Sequence, residues 1–230
     1  MERGRFDSVS VAGIAVFSSL AILLSATSQA LGLNFPLLPY LQFDLGEIAV
    51  LMAFYVFGPG PAAVSSTVEF VGLEAYGLNR PVGPILKLLA LLSTIGGLWL
   101  GTRLSSRFLR PTMKRVVSFG AISASVSRAF VMTIANYYLV TVLYGVSVTT
   151  TYYGLTQTFS TIGITLTDSN AILLILAFTA VFNTIQLLFV VALSFAVLRF
   201  PPFSSLKVGG RAPWFFANFS TRVKSEESAS

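Results

Sequence analysis

The sequence predicts an all-α membrane protein: six transmembrane helices in one bundle, both termini cytoplasmic, multi-pass in the cell membrane. Three observations predict it. The 230 residues are 54% hydrophobic and only 10% charged, against about 25% charged in soluble domains. Several apolar runs reach the roughly 18 residues that cross a bilayer. Basic residues are also unevenly placed. With six spans counted from an inner N-terminus, the N-terminus, the loop between the fourth and fifth spans and the tail hold twelve of the fifteen Lys and Arg. Such an excess marks the cytoplasmic side. It accounts for the pI near 9.8 without a nucleic-acid partner.

The first span runs from about Ser10 to Leu31 and is read as a retained helix, since no small-residue cleavage site stands out after MERGR. Ala15 and Ser19 form a small-xxx-small pair, which lets another helix approach closely. The next stretch, Gly32 to Phe43, carries two prolines, an Asn and three aromatics. It is too broken for a helix and predicts an interfacial loop or a lid. The second span is Asp44 to Phe57. Asp44 and Glu47 have capping-box spacing, so capping explains both acids without a ligand. GPGP, Gly58 to Pro61, forces a tight turn into a third span, Ala62 to Tyr76.

After the turn Gly77 to Gly83, the fourth span runs from Pro84 to about Arg103. Its end, STIGGLWLG, suits close helix packing. Arg103, Arg107, Arg110, Lys114 and Arg115 then mark a cytoplasmic loop. The fifth span lies within Val116 to Tyr144, a stretch longer than the roughly 20 residues a span needs, so it tilts or protrudes. Gly145 to Asp168 is polar, Thr-rich and read as a loop. The sixth span begins after Asp168 and ends at Arg199. Residues 1–200 form the transmembrane domain, and 201–230 a basic cytoplasmic tail whose end, KSEESAS, is expected to be disordered.

Ionisable residues inside a membrane are costly and call for a partner. Glu69, Glu74, Lys87 and Arg128 lie within spans. Depth along the helices pairs Glu69 with Arg128 and Glu74 with Lys87. These pairs either fix helix packing or face a ligand, and a proton relay lacks the carboxylates it needs. Three neutral amides stand apart: Asn136 on the fifth span, and Asn183 and Gln186 three residues apart on one face of the sixth. Lipid cannot satisfy them. They either line a pocket with apolar walls and a few fixed polar groups or bond to one another as helix glue.

No Cys or His is present. Disulfides and the usual zinc, haem and Cys- or His-based catalytic sites are therefore excluded. No cluster of acids or activated Ser suggests an enzyme. No GxxxxGK[ST] loop is present, so ATP hydrolysis by that route needs other subunits.

Four segments in order, FDLGEIAVLMAFYVFGPGPAAV (Phe43 to Val64), NRPVGPILKLLALLSTIGGLWLG (Asn79 to Gly101), SRAFVMTIANYY (Ser127 to Tyr138) and FNTIQ (Phe182 to Gln186), resemble the S components of energy-coupling factor transporters. The riboflavin-binding branch is the most similar. The resemblance implies a subunit that binds a vitamin from outside and docks on a transmembrane T component joined to two cytoplasmic ATPases. Toppling in the membrane then releases the vitamin inside. Riboflavin is implied as the transported ligand, with no cofactor. In that branch the site uses an Asn in the fifth helix and Asn-x-x-Lys in the sixth. The matching positions are Asn136, Asn183 and Gln186; Gln in place of Lys keeps a donor but loses charge and reach.

The covering first loop implies Leu38, Tyr40, Leu41 and Phe43 as lid or wall, and Lys87 is counted with the ligand-facing residues too. The family's docking motif falls on Ala15 and Ser19. Another small ligand on the same architecture, such as thiamine or a purine-like base, is the alternative, followed by an assembly protein without a ligand.

Overall fold

The computed structural model describes residues 7–77, 80–108, 113–145, 154–200, 207, 209–210 and 212–218, with backbone alone for 106–108, 113–114 and 168–169. The described part of the chain is mostly helical. Helix α1 (Ser8–Ala30) leads into a small antiparallel hairpin, β1 (Asn34–Phe35) and β2 (Leu38–Gln42). Helices α2 (Gly46–Phe57), α3 (Pro59–Tyr76) and α4 (Val82–Phe108) follow. Helix α5 (Met113–Tyr138) runs directly into a π-helical turn, Leu139–Leu143. A short α6 (Leu155–Thr161) precedes the long α7 (Asp168–Arg199). Residues 214–218 form a last helical piece.

Local chemistry sets the boundaries. Asp7 caps α1 by accepting from the Ser10 amide at 2.8 Å. Gly58 takes φ +96° between α2 and α3, and Pro59 opens α3, where its missing N–H costs nothing. Thr167 and Asn170 close a capping box at the start of α7. The proline-broken stretch after α1, expected to be an interfacial loop or a lid, is not helical and forms this hairpin. Its far end is tied back to α1: Gln42 Nε2 donates to the Ser28 carbonyl at 3.0 Å, and the Leu45 amide donates to Ser28 Oγ at 2.9 Å.

Helix α2 is the axis of the bundle. Every residue from Ala49 to Val56 is buried, and α1, α3, α4 and α7 pack around it. With 12 residues it rises only about 18 Å, short of a hydrocarbon core of about 30 Å. Among the described residues, four helical stretches are long and apolar enough to cross a bilayer: Ser8–Ala30, Val82–Ser105, Arg115–Leu143 and Asn170–Arg199. The protein is thus a multi-pass helical membrane protein. The glycines of the fourth apolar run meet α5 at close range: a Cβ on Gly97 would lie 2.5 Å from Ala124 Cα, and one on Gly101 2.5 Å from the Phe119 carbonyl oxygen.

Buried apolar side chains form two clusters. The larger, at the foot, centres on α2 with Leu91, Ile95, Leu187, Val190 and Val191. The smaller, at the hairpin end, holds Phe35, Leu38, Leu41, Val140, Leu155, Phe159, Ile175 and Phe182. Helix α6 belongs to this upper cluster, with Leu155 and Phe159 fully buried. The stretch expected to be only a polar loop therefore contains a short helix, whose Phe159 packs on Phe178 of α7 at 5.4 Å.

The described part of the tail is equally well packed. Phe215 is 1% exposed and meets Tyr55 edge-on at 5.3 Å and Phe195 at 6.1 Å; Trp214 lies 5.5 Å from Phe54. The expected disorder of KSEESAS and most of the basic tail lie outside the described residues, as do the side chains of Arg107, Arg110 and Lys114.

Candidate ligand-binding site

A cavity of about 270 Å³ lies between the two apolar clusters. That is just under the roughly 300–1,000 Å³ usual for small-molecule pockets. The hairpin covers it through Pro39, Tyr40, Leu41 and Gln42, and Asp44 and Glu47 enter it from the start of α2. Lys87 and Ala90 come from α4, Arg128 and Met132 from α5, and Phe182 and Asn183 from α7. Apolar walls and a dense set of polar groups, four of them charged (Asp44, Glu47, Lys87 and Arg128), thus meet at one place.

Two charged networks are built into those walls. Lys87 Nζ donates to Asp44 Oδ2, to Glu69 Oε1 at 2.6 Å and to Ser25 Oγ. Ser25 Oγ also lies 2.8 Å from Asp44 Oδ1 and 2.9 Å from Glu69 Oε1. All three ammonium protons are therefore used within the protein. Arg128, 2% exposed, meets Glu47 end-on: Nη1 donates to Oε2 and Nη2 to Oε1 at 2.8 Å. Its Nε donates to Asn183 Oδ1 at 3.0 Å.

The pairs expected from depth, Glu69–Arg128 and Glu74–Lys87, are not those formed. Glu69 and Glu74 are five residues apart, well over one 3.6-residue turn, so they face different ways on α3. Glu69 takes Lys87 because it faces α1 and α4. Glu74 Oε1 is buried without a hydrogen-bond partner, while the Glu74 backbone carbonyl accepts from Arg80 Nη1 at 3.1 Å. The acids assigned to capping also have other partners. Leu45, not Asp44, is the N-cap of α2, with no side-chain cap bond, and Glu47 turns inward to Arg128. Asp44 keeps one local bond, accepting from the Gly46 amide at 2.7 Å.

Of the amides, Asn183 lines the cavity, with Nδ2 on the Thr179 carbonyl at 2.9 Å. Gln186, fully buried one turn further along, donates from Nε2 to the Asp44 carbonyl at 2.9 Å. Asn136, also fully buried, donates from Nδ2 to the Met132 carbonyl at 2.9 Å. Each NH₂ faces a carbonyl, so the orientations are fixed. Asn136 Oδ1 and Gln186 Oε1 are left as buried acceptors without a partner. The three amides do not bond to one another, as helix glue would require.

Tyr40 and Leu41 line the cavity. Leu38 and Phe43 belong to the apolar layer above it, with Phe43 and Phe35 packed on Phe182 at 5.0 and 5.4 Å. Ala15 and Ser19 are exposed together on the outer face of α1.

No family model matches the chain. Its fold is similar to a solved structure described as the S component of a bacterial ECF transporter, with a TM-score of 0.59 and 20% identity over 83% of this chain and 93% of that one. The chain has the S-component fold. Its sequence is also similar to the riboflavin transporter RibU of Staphylococcus aureus (strain TCH60), 27% identical over 135 residues. The match spans 57% of this chain and 65% of that relative. Both similarities lie with transporter components and not with enzymes, and the second lies with the riboflavin branch.

Proposed function

We propose that the chain is the substrate-binding subunit of an energy-coupling factor vitamin transporter and that its ligand is riboflavin. The observation that carries this reading is the cavity. It sits between two apolar clusters, under a hairpin, with Asn183, Arg128 and Lys87 fixed in its wall. The similarity to a riboflavin transporter supports the choice of ligand.

In this reading α1 to α5 and α7 lie in the membrane, the short α2 and α3 shielded by the others, and both termini are cytoplasmic. Residues 1–200 form the binding domain and 201–230 the basic tail. The hairpin end faces outward. Ala15 and Ser19 present small side chains to a T component, which two ATPases drive. Within the site, Tyr40, Leu41 and Asn183 contact ligand. Asn136 and Gln186 stand behind the wall, while Leu38 and Phe43 hold the lid. Lys87 acts as a brace between α1, α3, α4 and the start of α2.

Titrating purified protein with riboflavin and following the quenching of flavin fluorescence tests this. Saturable binding at nanomolar to micromolar levels is the expected result, and a flat titration removes riboflavin. A second reading, thiamine, is favoured by one observation: Asp44 and Glu69 oppose Lys87 alone, so a cationic ligand would offset the surplus acid. Calorimetric titration of the same protein with thiamine separates the two.

A further inference from the structure

The family resemblance places ligand recognition on amides of the fifth and sixth spans. The geometry points to Arg128 as a further ligand-reading residue, one that recognises a carbonyl oxygen beside an N–H, the edge of a cyclic amide or imide. This inference rests on the vitamin-binding reading above.

A guanidinium carries five N–H groups in a fixed plane. The end of the fork is occupied by Glu47, through one proton of Nη1 and one of Nη2. The second Nη1 proton faces Thr94 Oγ1 at 3.5 Å. The Nε proton goes to Asn183 Oδ1. One Nη2 proton is left without a partner. By the planar geometry of the group it runs parallel to Nε–H, along the side edge that holds Asn183. Arg128 and Asn183 both line the cavity.

That edge therefore offers a donor, Nη2–H, next to an acceptor, the second lone pair of Asn183 Oδ1. Its complement on a ligand is an acceptor next to a donor, as in a lactam or imide. Glu47 holds the fork in place before ligand arrives, so little ordering is required on binding. Lys87 has no such spare proton. The cation that reads ligand is thus on α5, not α4.

The test uses full-length protein in detergent and four probes: riboflavin, its 2-thio and 4-thio analogues and its N3-methyl analogue. Thiocarbonyls are weaker acceptors, and the methyl group removes the imide N–H. On the wild type, the N3-methyl analogue and one of the two thio analogues should bind about tenfold or more weaker than riboflavin, the loss for one hydrogen bond left unpaired. Arg128→Lys keeps the charge opposite Glu47 but lacks the side edge. It should bind riboflavin about tenfold weaker, and the thio penalty should disappear.

Wild-type binding indifferent to all three modifications overturns the inference without any variant, even if Arg128→Lys fails to fold. So does an Arg128→Lys protein that binds riboflavin like the wild type or keeps the full thio penalty. A wild type that binds no riboflavin overturns the vitamin-site reading itself, and this inference with it. Loss of the role of Arg128 alone leaves wild-type riboflavin binding intact.

Discussion

Arg128 and Glu47 meet end-on in the wall of the cavity, joined through both terminal guanidinium nitrogens although they are 81 residues apart in the chain. The pair links α5 to α2, and through Asn183 it also reaches α7. A buried pair of this kind adds little net stability over apolar residues of the same volume, yet removing one partner strands the other.

Arg128→Met alone should therefore cost about 3–5 kcal/mol. Glu47→Met combined with Arg128→Met should recover most of that loss. Thermal unfolding in detergent measures both. Riboflavin binding should stay impaired in the double variant, which separates the role in the fold from the role in the site.

Adjacent glycines in α4 should behave oppositely. A Cβ on Gly97 would lie 2.5 Å from Ala124 Cα and 2.9 Å from the Ser123 carbonyl, both backbone atoms that cannot step aside. Gly97→Ala should cost about 1–3 kcal/mol by overpacking. A Cβ on Gly96 meets nothing within 4 Å, so Gly96→Ala should be neutral or stabilise by up to about 1 kcal/mol through helix propensity. Melting temperatures of the two variants, side by side, check this.

Gly46 is a tighter case. A Cβ there would lie 2.1 Å from Ser25 Oγ and 2.5 Å from the Ala21 carbonyl. Gly46→Ala should push α1 off α2 and pull Ser25 out of the Lys87 network. Lower thermal stability should come with weaker riboflavin binding, since Lys87 and Asp44 line the cavity. Unchanged affinity in a folded variant would show that the network does not shape the site.

Charge should decide between ligands of similar shape. Asp44, Glu47 and Glu69 face only Lys87 and Arg128, and each cation is already paired. A phosphorylated vitamin would bring further negative charge into a poorly solvated place. Riboflavin 5′-phosphate should bind at least about tenfold weaker than riboflavin, a modest loss for an uncompensated charge. Asp44→Asn should narrow the gap. Competition titrations measure both.

The tail should matter to the whole bundle. Phe215 is 1% exposed between Tyr55 and Phe195, and truncating a buried aromatic costs about 3–5 kcal/mol. Phe215→Ala should lower the melting temperature markedly while leaving the cavity residues in place.

Much of this architecture was legible in the sequence because hydrophobic length and glycine placement act locally. The long helices, the broken stretch after α1 and the close packing at the glycine-rich end of α4 follow from neighbours in the chain, whereas α5 as the partner there does not. The ion pairs did not, because depth along a helix says nothing about which way a side chain faces. Asp44 and Glu47 were further hidden by a spacing that suits a cap equally well. Helix α6 was missed because its polar residues dominate the composition, although Leu155 and Phe159 are four residues apart, the spacing of one helical face. Asn183 was legible as an inward-facing group, but its dependence on Arg128 requires coordinates.

The aromatic layer at the foot has a consequence for how a solute leaves. Below the cavity the centre of the bundle is filled by Leu51, Phe54, Tyr55 and Leu187, with Phe215 wedged underneath. These side chains plug the described part of the bundle at that end. In the proposed reading, a molecule taken in beside the hairpin meets this plug and not a channel. It then either goes back out through the opening by which it came, or the whole subunit turns and carries that opening to the other side.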